Sequence, residues 1–396
     1  MENPRPVRRF ERQFAAWLGA EHAFAFWKGR VAMYAILKAM GIGAGDEVIL
    51  PGYTCVRDVN PIKYLGARPV YVDIEPVTYN LDVDLLERHI SPRTRVIIAQ
   101  HTYGYPCRMD RLCEIAADHK VPVVEDCCLA VGSSYAGRRC GTWGLAAYWS
   151  FQWNKAFTTG LGGMATTRDA QLAQRISELC RTERIAPSAK EATMLTLQRA
   201  AHRAVTFPRT VSLITRLFRY LTRKGLVIGS SSAAEFVPVM AAGFFKGMSA
   251  GQGRAGLAGA HRLEGNIAHR RDIAKLYDQL LAQAGWPVPA GMAPVLVRYP
   301  VRVGNKAELV AQAPRRGVEI GTWFECPLHP IETPLERYDY TLGSCPLAEQ
   351  AAREVVNLPT HPRTGAAAAK RCVRFLQEEG LKGSASGGNH VQGRTA

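Results

Sequence analysis

Two hydrophobic periods alternate along the first half of the chain. Residues 11–18 and 29–40 repeat their apolar positions at helical spacing. Short apolar runs, mostly Val and Ile, follow at 48–50, 69–72, 96–99 and 121–124, each bounded by polar or turn residues. Helical stretches at 56–65, 82–89 and 109–118 separate them. Strand and helix alternating at this spacing predict an α/β fold whose mostly parallel central sheet is flanked by helices on both faces. Right-handed crossovers follow. Such sheets take ligands at the carboxyl ends of their strands, so the loops just after the apolar runs are where chemistry is expected.

The pattern changes after residue 180. Between 199 and 224 seven basic residues come without an intervening acid: Arg199, Arg203, Arg209, Arg216, Arg219, Arg223 and Lys224. Val211, Ile214, Leu217, Phe218 and Leu221 fall among them at helical spacing, making a basic amphipathic stretch. A long helical pattern returns at 258–283, residues 295–303 alternate like a strand, and 366–377 read as a closing helix. The expected organisation is a large domain over 1–257 with a basic helical insertion at 181–247. A smaller C-terminal α/β domain follows over 258–382, and the Gly/Ser-rich tail 383–396 is expected to be disordered.

Composition narrows the function classes. The 396 residues are 47% apolar and 21% charged, a globular balance that suits two domains. No run approaches the roughly 18–20 apolar residues of a membrane span, and residues 1–12 lack the apolar core of a secretory signal. The ten cysteines form no C-x-x-C pair, so no metal site is expected, and reduced thiols in a cytoplasmic protein are the default. A net charge of +16 admits nucleic acid, an anionic membrane face, anionic small substrates or no such partner. No helix-turn-helix or aromatic-basic platform supports nucleic acid. The stretch 199–224 is then a solvated helix face, a grip on an anionic substrate or a peripheral membrane contact.

Three segments carry chemistry. Residues 121–126 read V-P-V-V-E-D, a buried strand ending in Glu125 and Asp126 where a carboxylate faces the ligand crevice. Residues 150–164 read S-F-Q-W-N-K-A-F-T-T-G-L-G-G-M. Lys155 stands there among apolar and aromatic residues, and a partly dried neutral amine attacks an aldehyde carbon. Gly160, Gly162 and Gly163 let the backbone turn beside a bulky ligand. Residues 27–30, W-K-G-R, open a helix whose first amides suit a phosphate, with Lys28 or Arg30 adding charge. Pyridoxal 5′-phosphate needs these three parts together: a lysine for the Schiff base, a carboxylate on the pyridine nitrogen and a phosphate cradle.

At these residues the chain resembles the DegT/DnrJ/StrS sugar aminotransferases, fold-type-I pyridoxal-phosphate enzymes. The resemblance rests on D-E-V-I-L-P at 46–51, G-A-R-P-V-Y-V-D at 66–73, Q-H-T-Y-G-Y-P at 100–106, Glu125–Asp126, S-F-x-x-x-K at 150–155 and T-T-G-x-G-G-M at 158–164. It implies that Lys155 bonds the cofactor and shuttles the proton. It also implies that Asp126 pairs with the pyridinium nitrogen, and that Ser150 with the backbone of Gly29 and Arg30 binds phosphate. It further implies an amino-acid donor such as glutamate, a keto-sugar acceptor, and a homodimer with its sites between subunits. Lysine rather than histidine at position 155 favours amination over dehydration. Three departures stand out. Leu129 replaces a Gln or His that contacts the cofactor. Cys55 replaces an aromatic, so ring stacking is weaker or falls to Tyr53 or Trp153. Residues 245–248 replace a cross-subunit Asn-x-Arg-Met, leaving Lys246 as the phosphate contact.

His101, following the 96–99 run, is a candidate substrate contact or a structural histidine; His329, in P-L-H-P, is a candidate contact from the small domain or an exposed turn residue. A reading of another class is a non-catalytic regulatory or membrane-associated scaffold that retains the fold.

Overall fold

The computed structural model describes residues 3–205, 221, 227–229, 236–284, 294–331 and 334–380. Most of the basic stretch 199–224 and the whole of the tail 383–396 lie outside the described residues.

Helix α1 (Arg5–Leu18) buries Val7, Phe10, Phe14, Ala15 and Leu18, one stripe at helical spacing. Strand β1 (His22–Phe26) leads into α2 (Gly29–Ala39), β2 (Glu47–Pro51), the short β3 (Thr54–Cys55), α3 (Val56–Tyr64), β4 (Arg68–Val72) and β5 (Thr94–Gln100). Then come α4 (Met109–Asp118), β6 (Val123–Asp126), the hairpin β7 (Ser134–Tyr135) and β8 (Arg138–Arg139), β9 (Ala146–Ser150), β10 (Gly163–Thr167) and α5 (Ala170–Thr182). Seven of these strands form one sheet in the order β1-β10-β9-β6-β5-β2-β4. The run from β9 to β4 is parallel; the alternation predicts four of its strands, β2, β4, β5 and β6, but not β9, and β10 and β1 are antiparallel at the edge. The apolar pattern misses this edge because β10 reads G-M-A-T-T, with no aliphatic run. Residues 82–89 form a 3-10 helix over Val83–His89 rather than an α-helix.

The predicted helix 258–283 divides in two. Helix α6 (Ala189–Val205) is followed by α7 (Ala250–Ala260) and α8 (Leu263–Gln283), with the break at His261 and Arg262. Helix α7 starts early because Ser249 and Gln252 make a reciprocal capping box. The ends of the 181–247 segment are woven into the fold: Trp27 N–H donates to the Lys246 carbonyl at 2.9 Å, Ile185 N–H to the Phe245 carbonyl at 3.0 Å and Gly247 N–H to the Ile185 carbonyl at 2.9 Å.

The C-terminal part holds β11 (Arg298–Arg302) antiparallel to β13 (Val355–Pro359), with Gly321 bridged to Asn357. Strand β12 (Leu328–His329) crosses back to pair in parallel with β3. This pairing ties the C-terminal part to the loop after β2, so residues 323–324 roof the carboxyl ends of the central strands.

Candidate functional site

One cavity gathers side chains from five such strand ends or helix starts. It is lined by Gly29 and Arg30 of α2, by Cys55, Arg57 and Asp58 around the start of α3, and by Gln100 ending β5. Asp126 ends β6, with Cys128 and Leu129 just after it, and Ser150 ends β9, with Gln152 and Lys155 just after it; Trp323 and Phe324 close the cavity from the C-terminal part. Lys155, Asp126, Ser150, Gly29 and Arg30 therefore meet, as the motifs predict.

The anion end is set by close backbone contact. A methyl group at Gly29 would lie 2.9 Å from Ser150 Cβ, and one at Gly163 would lie 2.4 Å from the Lys28 carbonyl oxygen. Only glycine lets α2 start against β9 and β10, which sets its first-turn amides beside the Ser150 side chain. No side chain caps that helix start. A helix start without a side-chain cap, the positive end of the helix dipole and a serine hydroxyl suit a phosphate.

The acid end carries two carboxyl groups. Asp126 Oδ1 accepts from Cys128 N–H at 2.8 Å, which fixes its direction. Asp58 accepts from Tyr148 Oη at 3.2 Å. Burial pushes the Asp58 carboxyl up to about 8, the Asp126 charge pushes the same way, and Lys155 opposes both. Asp58 escapes the sequence reading because an acid in the first turn of a helix is ordinary there.

Lys155 sits on a loop closed by Phe151 N–H to the Gly162 carbonyl and Thr159 N–H to the Phe151 carbonyl, both 2.9 Å. Phe151 and Phe157 stack beneath it with ring centres 4.8 Å apart. Its Nζ lies 4.9 Å from the centre of the Trp323 ring. Tyr103 Oη donates to the Trp323 carbonyl, and Phe324 N–H donates to Tyr53 Oη at 3.3 Å, so the roof is pinned to the large sheet.

Several predicted site residues lie elsewhere. Tyr53 is fully buried below the roof, bonded to Tyr103 Oη at 2.8 Å, and does not line the cavity. Trp153 packs against His202 instead. The aromatic wall is Trp323 and Phe324, far along the chain from the 53–55 loop, so no local motif signals it. His101 is sealed in the core: its Nε2 meets Glu125 Oε2 at 3.1 Å and its Nδ1 accepts from Cys107 N–H at 3.1 Å. Hydrogen bonds on both ring nitrogens hold it on the far side of β6 from the cavity. His101, Glu125 and Cys127 have ligating atoms within 4.8 Å of one another. Glu125, however, already accepts from the amides of Gly141, Trp143 and Gly144 at 2.7, 2.7 and 2.8 Å. His329 is half-buried behind the roof, edge-on to Trp323, with Nδ1 accepting from Glu325 N–H at 3.3 Å. Burial and the charges of Arg57, Lys306 and Arg298 hold its imidazole down to about 3, so it buttresses Trp323 as a neutral ring. Lys246 Nζ pairs with Glu191 at 2.6 Å within the same chain.

Comparison with known proteins follows the same outline. The model of the DegT/DnrJ/EryC1/StrS aminotransferase family matches residues 2–198 and 212–377. GDP-perosamine synthase of Caulobacter vibrioides is 32% identical over 382 residues, covering 94% of this chain and 89% of that protein. UDP-2-acetamido-2-deoxy-3-oxo-D-glucuronate aminotransferase of Pseudomonas aeruginosa is 30% identical over 368 residues, covering 92% and 88%. The solved structure of DesV from S. venezuelae superposes with a TM-score of 0.72 at 27% identity, covering 95% of this chain and 89% of that one. A parallel sheet with a lysine, an acid and an anion cradle at its strand ends agrees with this whole-chain match: the chain belongs to the DegT/DnrJ/EryC1/StrS aminotransferase family and is a pyridoxal-phosphate-dependent transaminase.

Proposed function

We propose that this chain moves an amino group from an amino acid, glutamate in the first instance, to a keto sugar carried on a nucleotide, for polysaccharide, lipopolysaccharide or secondary-metabolite synthesis. The observation that carries the reading is the convergence of Lys155, Asp126 and the Gly29–Ser150 anion site on one cavity, in a chain related along its length to enzymes named for sugar substrates. Bound pyridoxal phosphate supplies an aldehyde and an electron-withdrawing ring. Ser150 and the first amides of α2 hold its phosphate, and Asp126 keeps the ring nitrogen protonated. The Lys155 amine would hold the cofactor at its aldehyde and would move the proton at the substrate carbon. Leu129 and Phe324 keep water from that proton. A covalent carrier of the amino group implies ping-pong kinetics.

The large unit 1–257 and the smaller unit 258–382 are assigned on the same basis, since residues 323–324 of the second close a cavity built by the first. We place the protein in the cytoplasm as a homodimer; among the described residues no helix is long and apolar enough to cross a membrane. The test is transfer of nitrogen-15 from labelled glutamate into a panel of GDP- and UDP-linked keto sugars. Label in one sugar class, absent with Lys155→Ala, supports the reading. No transfer to any sugar from any amino acid sinks it.

A further inference from the structure

Arg298 is a guanidinium without a counterpart. It makes no hydrogen bond or ion pair among the described residues, and its Nε is sealed from solvent. Arg270, buried nearby, shows the ordinary case: its Nε donates to Asn266 Oδ1 at 2.7 Å, and its Nη1 to the Val297 carbonyl at 3.1 Å and Thr360 Oγ1 at 2.9 Å. The acid that acts on Arg298, Glu319, is held by His361 Nε2 at 3.1 Å. Arg298 is half-buried, so its remaining N–H groups, which find no protein acceptor, are left to water or to a ligand.

Its position says where that ligand lies. Arg298 faces Pro359 across the β11–β13 pair, so Asn357, two residues along, shares its face of the sheet. Trp323 lies on that face too, its N–H donating to Asn357 Oδ1 at 2.8 Å. Asn357 Nδ2 is sealed from solvent on the same face, with the Tyr103 hydroxyl beside it. The Arg298 guanidinium carbon lies 5.2 Å from the Trp323 ring centre, and the Lys155 amine lies 4.9 Å from the same ring. Gly321 makes room for this: a methyl there would meet Arg298 Nη1 at 2.5 Å. The reacting amine and an unpaired planar cation thus share one indole at the edge of the cavity.

We propose that Arg298, laid on Trp323, is the receptor for a substrate carboxylate. The inference rests on the amino-transfer reading above. A guanidinium binds a carboxylate through two parallel N–H bonds, which lysine cannot reproduce. The carboxylate belongs either to the amino donor or to a uronic-acid acceptor, and the experiment separates the two.

The test uses the cofactor-loaded chain and its Arg298→Gln and Arg298→Lys variants. Glutarate, an unreactive dicarboxylate, is titrated by calorimetry. Glutamate, an uncharged alkylamine, and uronic and neutral keto sugars are titrated by the absorbance of the bound cofactor. For a donor site, Arg298→Gln weakens glutamate and glutarate about 10- to 100-fold and Arg298→Lys weakens them less, while the alkylamine and the cofactor keep their affinities. For an acceptor site, the uronic sugar alone weakens while the neutral sugar does not. Unchanged affinity for every carboxylate overturns the proposal. So does an alkylamine weakened as much as glutamate, because the loss is then structural. A wild-type chain that binds glutarate through Arg298 but transfers nothing leaves this site standing and removes the amino-transfer reading instead.

Discussion

Replacing Gly29 with alanine sets a methyl group 2.9 Å from Ser150 Cβ and 3.1 Å from the Trp149 carbonyl oxygen, where ordinary contact begins near 3.4 Å. The neighbours cannot yield, because β9 is paired on one side with β10 and on the other with β6. Helix α2 must therefore lift from the sheet. Overpacking of this kind costs about 1–3 kcal/mol. The same shift separates the first amides of α2 from Ser150, so the cost falls on the anion site. At roughly 1.4 kcal/mol per tenfold, pyridoxal phosphate binds about 5- to 150-fold more weakly. Fluorescence titration of the cofactor-free chain measures this directly. Gly265→Ala is the control: nothing lies within 4 Å of the added methyl, so it leaves binding unchanged and stabilises α8 by about 0.5–1 kcal/mol. A Gly29→Ala chain that binds the cofactor like wild type refutes the assignment of the phosphate to this helix start.

Three further outcomes are expected. Asp126→Asn loses a charge-assisted hydrogen bond to the ring nitrogen worth about 1.5–3 kcal/mol, so single-turnover amino transfer slows about 10- to 150-fold while phosphate-driven cofactor binding persists; an unchanged rate contradicts the role. The Asp58 carboxyl, raised to about 8 by burial and by Asp126, holds its proton in the folded chain after the unfolded chain has lost it. Its contribution to stability is complete below about pH 4 and fades as pH rises toward 8. Asp58→Asn stays neutral, so denaturant unfolding of the cofactor-free chain should show the variant gaining on wild type between pH 5 and pH 8, with a slope bounded by about 1.4 kcal/mol per pH unit; a constant difference contradicts it. His101→Ala leaves the Glu125 carboxylate one partner short and lowers unfolding stability by about 2–4 kcal/mol, with KM for donor and acceptor within about twofold of wild type; a selective rise in KM would return His101 to the substrate.

The strands β2, β5 and β6 are legible in the chain because they are buried almost throughout and carry aliphatic runs, whereas β9, which reads A-A-Y-W-S, shows no such run. The antiparallel edge is not legible either: β10 needs glycine at its start to meet α2 and threonines along its length, so its apolar pattern is thin. The floor of the cavity is legible for a related reason. Lys155, Asp126, Ser150 and Gly29 each sit within a few residues of a strand end or helix start, and local sequence marks those places. The roof comes from long-range pairing. Trp323 and Phe324 reach the cavity through β12 lying beside β3, and nothing near residue 323 announces that contact. His101 misleads because following a strand does not settle on which side of it a ring turns. Here a hydrogen bond to the Glu125 carboxylate and one from the Cys107 amide hold the ring away from the cavity.

Reduction with borohydride after mixing the chain with pyridoxal phosphate, followed by peptide mass mapping, asks which nitrogen holds the cofactor. The account predicts a phosphopyridoxyl group on Lys155 alone, lost in Lys155→Ala and lost from the wild-type chain once glutamate has taken the cofactor to its amino form. Label on another lysine, or none at all on a folded chain that binds the cofactor, would contradict it.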